Sequence, residues 1–172
     1  MAEEKTGDEP DKPGALQALA ILVAVVPVVW FYTWLESALG LTASMFAGFL
    51  FILYWTSIRN IAPNEFFPSL LGTLGGLGLG YLLFTLPTVY GAAGIAVIGF
   101  LIALSVYLLI RGQAAIIVNP ALMLMLTVCG SGVFKSPIDF ATAAASVLVA
   151  ALYSGGLLLL AGQATRLMAR RE

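Results

Sequence analysis

Histidine is absent from the 172 residues of this chain, and Cys129 is its only cysteine. Without histidine the chain lacks the commonest metal ligand and general base, and a single thiol excludes both an intrachain disulfide and a cysteine-rich metal site. No nucleophile is paired with a base, and no glycine-rich phosphate loop follows a strand pattern. We therefore expect no enzymatic activity, no metal and no cofactor, and we expect Cys129 to be a buried, unreactive thiol.

Charged residues are also scarce: they form 10% of the chain, against about 25% in soluble domains. Apolar residues form 60%, so lipid is the expected solvent and the first expected partner. Because there is no basic patch, we expect no binding to nucleic acid. Most charges lie near the two ends, and the six between them are predicted to lie in short loops: Glu36, Arg59, Glu65, Arg111, Lys135 and Asp139.

Six apolar segments follow one another along the sequence, each near the roughly 20 residues that cross about 30 Å of hydrocarbon as a helix. They run over 15–35, 38–58, 67–86, 89–110, 114–134 and 139–162. Helices satisfy their backbone polar groups internally, as lipid demands. The predicted fold is therefore all-α, with a six-helix membrane domain over 15–162 between a disordered acidic tail over 1–14 and a basic tail over 163–172.

The distribution of Lys and Arg predicts the orientation of these helices. An even number of spans puts both ends of the chain on one side of the membrane. If that side is the cytoplasm, Arg59, Arg111 and the basic residues of both tails face inward, and Lys135 alone faces outward. We therefore expect both termini to be cytoplasmic.

A five-residue pattern occurs twice, as APNEF at 62–66 and as SPIDF at 136–140. Its carboxylates, Glu65 and Asp139, are 139 − 65 = 74 residues apart. The same offset maps the first three apolar segments onto the last three without a gap. In both copies the carboxylate would cap the start of a helix, where free N–H groups favour negative charge. The alternative is that any six-helix membrane protein carries a proline and a cap between spans.

The offset divides the membrane domain into two three-helix repeats, over 15–88 and 89–162, and an odd number of spans inverts the second repeat relative to the first. The third helix of each repeat carries small residues spaced by four, which let membrane helices approach closely. These are Gly72, Gly76 and Gly80 in the first repeat and Ser146, Ala150 and Ser154 in the second. We expect the third and sixth helices to meet along these faces, or each to meet an equivalent helix.

The fifth segment contains helix-breaking residues inside its apolar run. Asn119 before Pro120 is typical of a helix start, and Gly130 and Gly132 are typical of a helix end. The regular helix is therefore predicted to run only from Pro120 to about Cys129, roughly half the membrane thickness, with irregular flanks. Asn119 either bonds to the backbone beside the proline or faces a solute, and both interpretations stay open.

No ionisable side chain is expected inside a span, which argues against a self-contained proton-driven pump. The polar groups left to line a route are hydroxyls and one carboxamide, a lining that suits a small neutral or weakly anionic solute. The candidate residues for such a route are Thr73, Asn119, Pro120, Thr127 and Ser131. Alternatively, the hydroxyls bond to the carbonyls of their own helices one turn back.

The stretch from Glu65 to Leu160 resembles the six-helix membrane block of the fusaric-acid-resistance and aromatic-acid-exporter superfamily. The likeness is carried by LLGTLGGLGLGYLL at 70–83, which contains Gly72-Thr73-x-x-Gly76, by the basic turn at Arg111 and by PALMLMLTV at 120–128. This resemblance implies export of small aromatic carboxylic acids. The basic residue usual shortly before the Gly-Thr pair in that family is not matched, since Glu65 and Phe66 stand there.

The chain is also similar in length and layout to a family of small bacterial inner-membrane proteins of unknown function. That resemblance implies a location in the bacterial inner membrane and no particular activity.

Two functions are therefore expected, from different classes. The first is a channel or facilitator for a small solute, working as a homo-oligomer because a chain of 172 residues offers little bulk for a private pore. The second is an accessory or assembly subunit that docks on another membrane subunit through its small-residue helix faces. A continuous polar stripe joining Asn119, Thr127 and Ser131 would favour the first, and internal bonding of these residues in a dry interior would favour the second.

Overall fold

The computed structural model describes residues 14–134 and 136–169, while the side chains at 15, 17, 18, 20, 21 and 164–169 lie outside that description. The described residues form six α-helices and no strand, so the predicted all-α class is confirmed. The helices are α1 (Ala15–Ala38), α2 (Met45–Leu53), α3 (Pro63–Tyr90), α4 (Ala92–Ile110), α5 (Pro120–Gly130) and α6 (Pro137–Ala169). A 3-10 turn at Thr42–Ser44 precedes α2, and a π-helical turn at Tyr54–Ile58 continues it.

Three of these helices are long and apolar enough to cross a membrane, namely Pro63–Tyr90, Ala92–Ile110 and the Pro137–Gln163 part of α6. The apolar stretches Leu22–Ala38, Thr42–Ile58 and Pro120–Gly130 are shorter. The helical part of the chain also extends further than predicted, because α6 continues to Ala169 through most of the expected basic tail. The rest of that tail, the acidic tail up to residue 13 and Lys135 lie outside the described residues.

The repeated Pro-containing words do begin helices. Asp139 forms a reciprocal cap with Ser136: the Ser136 N–H donates to Asp139 Oδ2 at 2.9 Å, and the Asp139 N–H donates to Ser136 Oγ at 3.4 Å. Such a capping box satisfies two N–H groups that the helix itself leaves unpaired. Glu65 lies in the first turn of α3, but the N-cap residue Ala62 has no side-chain cap, and the Glu65 carboxylate pairs with Arg59 at 3.5 Å.

The glycine face of α3 packs against α5. A Cβ added to Gly72 would meet Asn119, and one added to Gly76 would meet Leu122 and Met125. A Cβ added to Gly80 would meet Cys129. Contacts that advance together along both helices show that α3 and α5 run parallel. The expectation that this face meets the sixth helix is therefore wrong along most of its length, because α5 of the same chain occupies it and α6 reaches it only with the Phe140 ring at Gly80.

The remaining helices form a second parallel pair and one crossing. Ser44 Oγ lies 2.8 Å from Thr142 Oγ1, and a Cβ added to Gly48 one turn later would meet Ser146, so α2 runs parallel to α6. Helices α3 and α6 cross in opposite directions, since Phe66 lies against Gly155 near one end and the rings of Tyr81 and Phe140 lie 5.7 Å apart near the other.

The buried core lies where these pairs meet. It is formed by Tyr32, Ala47, Phe51, Leu77, Met125, Cys129, Phe134, Phe140, Ala143, Val147, Ala150 and Ala151. Three alanines of α6 belong to this core, and the Phe134 and Phe140 rings in it are 4.7 Å apart. Cys129 is a free, buried thiol in this core, as the sequence predicts.

The close approach of α3 and α5 predicts the effect of a single methyl group. A Cβ at Gly76 would lie 2.5 Å from the Leu122 carbonyl oxygen and 2.8 Å from Met125 Cβ. Since neither neighbour is the end of a flexible side chain, Gly76→Ala is expected to destabilise the fold by roughly 1–3 kcal/mol. The measurement is thermal unfolding of the purified protein in detergent.

Gly78→Ala is the matched control, because no atom lies within 4 Å of a Cβ at that position. This control is expected to leave stability unchanged or to raise it by up to about 1 kcal/mol through helix propensity. Equal unfolding temperatures for the two variants would contradict the α3–α5 packing.

Candidate functional site

Asn119 is the buried start of α5. It is 5% exposed, and its Oδ1 accepts hydrogen bonds from the N–H groups of Ala121 at 3.0 Å and Leu122 at 3.3 Å. Its Nδ2 donates to the Pro68 carbonyl of α3 at 2.7 Å. The carboxamide is thus bonded to the backbone of two helices, which matches the first of the two interpretations left open for this residue.

The broken fifth segment has the predicted form. Helix α5 spans 11 residues, from Pro120 to Gly130, and the preceding residues 111–118 form a run of turns. After it, Gly132 has a φ of +78°, a left-handed conformation that favours glycine. At about 1.5 Å per residue the regular helix covers only about half of the hydrocarbon thickness.

The hydroxyl groups proposed to line a route bond to their own helices. The Thr127 hydroxyl donates to the Met123 carbonyl at 2.8 Å and the Ser131 hydroxyl to the Val128 carbonyl at 2.6 Å, and both residues are exposed. The buried Thr73 hydroxyl donates to the Ser69 carbonyl at 2.8 Å. Among the described residues, therefore, no hydrogen bond joins Asn119, Thr127 and Ser131 into the expected continuous polar stripe.

Two of the predicted route residues do line a cavity. Asn119 and Pro120 lie with Arg59, Glu65 and some residues of the 112–118 segment around a space of about 230 Å³ at the N-terminal ends of α3 and α5. Two groups hold Arg59 there. The Arg59 Nε lies 3.5 Å from Glu65 Oε2, and it donates a hydrogen bond to the Tyr54 hydroxyl oxygen at 3.0 Å. Because Glu65 pairs with Arg59, the lining carries one ion pair beside two helix N-termini, an arrangement that suits polar groups.

A second polar cluster lies where α1 packs against α2 and α6, and Glu36 of α1 is at its centre. The Glu36 side chain is 0% exposed, and its Oε1 accepts hydrogen bonds from the Tyr32 hydroxyl at 2.7 Å and the Ser146 hydroxyl at 3.0 Å. Gly48 of α2 makes room for the cluster, because a Cβ there would collide with the Tyr32 hydroxyl. The neighbouring Ser44–Thr142 contact continues this polar strip along α2 and α6.

The prediction that Glu36 lies in a loop is therefore wrong. Helix α1 continues to Ala38, so Glu36 lies within its last turn and faces α6. The first apolar segment of the sequence ends at 35, directly before Glu36, whereas the helix continues past it. The signal that could have found the site is the Tyr32–Glu36 spacing of four, which places both side chains on one helix face.

The small residues of α6 serve different partners. Ser146 donates to Glu36, whereas Ser154 donates to the Ala150 carbonyl of its own helix at 2.7 Å. Ala150 is fully buried in the core. This face of α6 thus packs within the chain and carries one polar contact to α1.

An apolar cavity lies beside the Glu36 cluster. It has a volume of about 290 Å³ and is lined by α1, α2, the turn that continues α2, and α6, with Val28, Tyr32, Phe49, Trp55 and Leu157 among its walls. This lining suits an apolar group and offers little to a polar solute. Among the described residues, no group of three or more His, Cys, Asp or Glu side chains is placed to hold a metal ion.

Comparisons with models of known protein families, with curated proteins and with solved structures find no match to this chain. The functional argument therefore depends on the residues themselves.

The Asn119 contacts predict which part of its carboxamide matters. Asn119→Ala removes both the helix cap and the bond to Pro68 and is expected to cost about 1–2 kcal/mol or more, the upper end of cap deletions. Asn119→Asp keeps the accepting oxygen but sets a second oxygen against the carbonyls that the amide donates to, so its loss should be at least as large as that of the alanine variant. Thermal unfolding in detergent measures both losses.

Thr127→Ala is the control for this series, because it removes only an exposed hydroxyl bonded to its own helix. Its unfolding temperature should match that of the wild type. An Asn119→Ala protein as stable as the Thr127→Ala protein would show that the cap and the bond between α3 and α5 contribute nothing.

Proposed function

We propose that this chain is a small channel or facilitator that passes a small neutral or weakly anionic solute across a membrane, as a homo-oligomer. The observation that carries the proposal is the short helix α5, which begins at the buried Asn119 and lies parallel to the long α3. Short helices beside long ones, with polar cavities at their ends, recur in the solute sites of membrane transporters.

Contacts between the halves support an inverted repeat. The offset of 74 carries the Phe66–Gly155 contact to positions 66 + 74 = 140 and 155 − 74 = 81, and the rings of Phe140 and Tyr81 are in contact. The same offset relates α3 to α6 and α2 to α5. The parallel pair of α3 and α5 therefore corresponds to the parallel pair of α6 and α2. We infer two three-helix units related by a two-fold axis in the membrane plane, with all six helices in the membrane domain.

The cavity at Arg59 is the proposed entrance for the solute. Arg59 and the 111–118 turns lie at the same end of the molecule, since both line this cavity. The antiparallel crossing of α3 and α6 puts Ser136, and with it the start of α6, at the other end. Positive charge at one end supports the proposed placement in a bacterial inner membrane with that end and both termini in the cytoplasm.

A specific observation favours the second candidate, an accessory subunit that docks without transporting. Hydroxyls proposed for the route bond to their own helices, and the α3–α5 contact below the cavity is tight. A dry, bonded interior is what such a subunit predicts. Its docking surface could not be the Gly72, Gly76 and Gly80 face, which α5 already covers.

The resemblance to aromatic-acid exporters guides only the choice of solutes to be tested. Aromatic carboxylates belong in the test panel because the proposed entrance holds a cation, Arg59, beside two helix N-termini. They compete there with smaller solutes such as acetate and glycerol.

Flux into liposomes tests the proposal. Vesicles containing the purified wild-type protein should admit at least one of glycerol, acetate or benzoate faster than empty vesicles. Arg59→Gln should lower the flux of the two anions several-fold and affect glycerol less, because only the anions gain from the guanidinium charge. The readout is stopped-flow light scattering for glycerol and internal pH for the acids.

Arg111→Gln is the control, since this exposed arginine carries the same charge but does not line the cavity. It should behave as the wild type. Wild-type vesicles no leakier than empty ones would remove the channel proposal and leave the accessory subunit.

A further inference from the structure

The apolar cavity between α1, α2 and α6 has rigid aromatic walls. Tyr32 and Trp55 line it, and each is only 1% exposed. Trp55 is fixed twice to the turn that follows it, because its carbonyl accepts from the Ile61 N–H at 3.1 Å and its indole N–H donates to the Ala62 carbonyl at 3.1 Å. Ile61 also lines the cavity, although its φ of +56° is strained for a β-branched residue. Such strain persists where the surrounding structure fixes the backbone, as at ligand clamps.

The polar side chains in the lining of this cavity are already bonded within the chain. Each of the five donates a hydrogen bond to another residue: Tyr32, Trp55, Thr56, Tyr153 and Ser154. A polar solute would find no free side-chain donor there and would give up its bonds to water. The lining therefore selects for a purely apolar group.

The cavity opens on the outer surface of the helices. Val28 and Val29 of α1 and Leu157 of α6 line it and are also exposed. Leu157 belongs to Pro137–Gln163, one of the three stretches that are long and apolar enough to cross a membrane. In a membrane the opening between α1 and α6 therefore faces lipid hydrocarbon.

The size and shape of the cavity suit a linear chain. Its α6 wall extends from Tyr153 to Ala161, which is about 12 Å along the helix at about 1.5 Å per residue. Its volume of about 290 Å³ exceeds the roughly 150 Å³ of an engineered protein cavity that holds benzene. An unfilled apolar space deprives its walls of van der Waals contacts, and such contacts are what favours association in lipid.

We propose that this cavity binds one acyl chain of a membrane lipid, which enters between α1 and α6 and lies against Trp55. The lipid tail supplies the contacts that the apolar walls otherwise lack, and it leaves no polar group unpaired. The site requires that the chain lies in a membrane, as the proposed function also does, but it requires no passage of solute. A failed flux experiment would therefore leave this inference standing.

Quenching of Trp55 fluorescence by brominated lipid tests the proposal. Trp30→Phe and Trp34→Phe together leave Trp55 as the only tryptophan of the full-length chain, and both replaced residues are exposed. This double variant is reconstituted in phosphatidylcholine vesicles with and without bromine on the acyl chains. Because bromine quenches only a nearby indole, fluorescence of the buried Trp55 should be several-fold lower in the brominated vesicles.

Val29→Phe, added to this background, fills the cavity from α1 and should remove most of the quenching. Val26→Phe is the matched control, since Val26 is an exposed residue of the same helix that does not line the cavity. It should leave the quenching unchanged.

Leu157→Phe, with the exposed Leu159→Phe as its control, fills the same cavity from α6 if the Val29 variant fails to fold. Negligible quenching of Trp55 overturns the proposal and is the result expected of a cavity filled by water or by a second copy of the chain. Equal quenching in a cavity-filling variant and its control also overturns it.

Discussion

The close approach of α3 and α5 is the constraint on which the rest of the arrangement depends. Three of the helices are long and apolar enough to cross a membrane, and helices in lipid associate through packing and hydrogen bonds because no hydrophobic driving force acts between them. Glycines on α3 provide the space, and the Asn119 carboxamide uses it to bond the backbone of both helices. With α5 fixed on α3, its short length leaves the 111–118 turns and the cavity at Arg59 at one end of the pair.

Local signals predicted the helices better than their partners. Asn119, Pro120 and the glycines after Cys129 each restrict their own backbone, so the bounds of α5 could be derived from neighbouring residues alone. The partner of the glycine face could not, because small residues at a spacing of four show that a helix can approach and not which helix does. That choice depends on the shape of the whole bundle.

Glu36 was missed for a related reason. Aromatic residues at Trp30 and Trp34 predict a membrane boundary, and a carboxylate just beyond a boundary is normally solvated. The structure continues the helix by one turn, and Ser146, 110 residues later in the chain, then donates to the buried carboxyl. A contact between residues so far apart is invisible to any local pattern. Only the Tyr32–Glu36 spacing hinted that the two polar groups share a face.

Under the proposed repeat, the two polar sites lie beside equivalent positions of α3 and α6. Gly72 and Ser146 are separated by 146 − 72 = 74 residues, and each meets a buried polar side chain, Asn119 in one half and Glu36 in the other. A carboxamide has both donors and acceptors, so backbone groups can satisfy it completely. A carboxylate only accepts, and without a cation one oxygen remains unpaired. The same helix geometry therefore holds a carboxamide bonded through both of its polar atoms in one half, and a carboxyl group bonded through only one of its oxygens in the other.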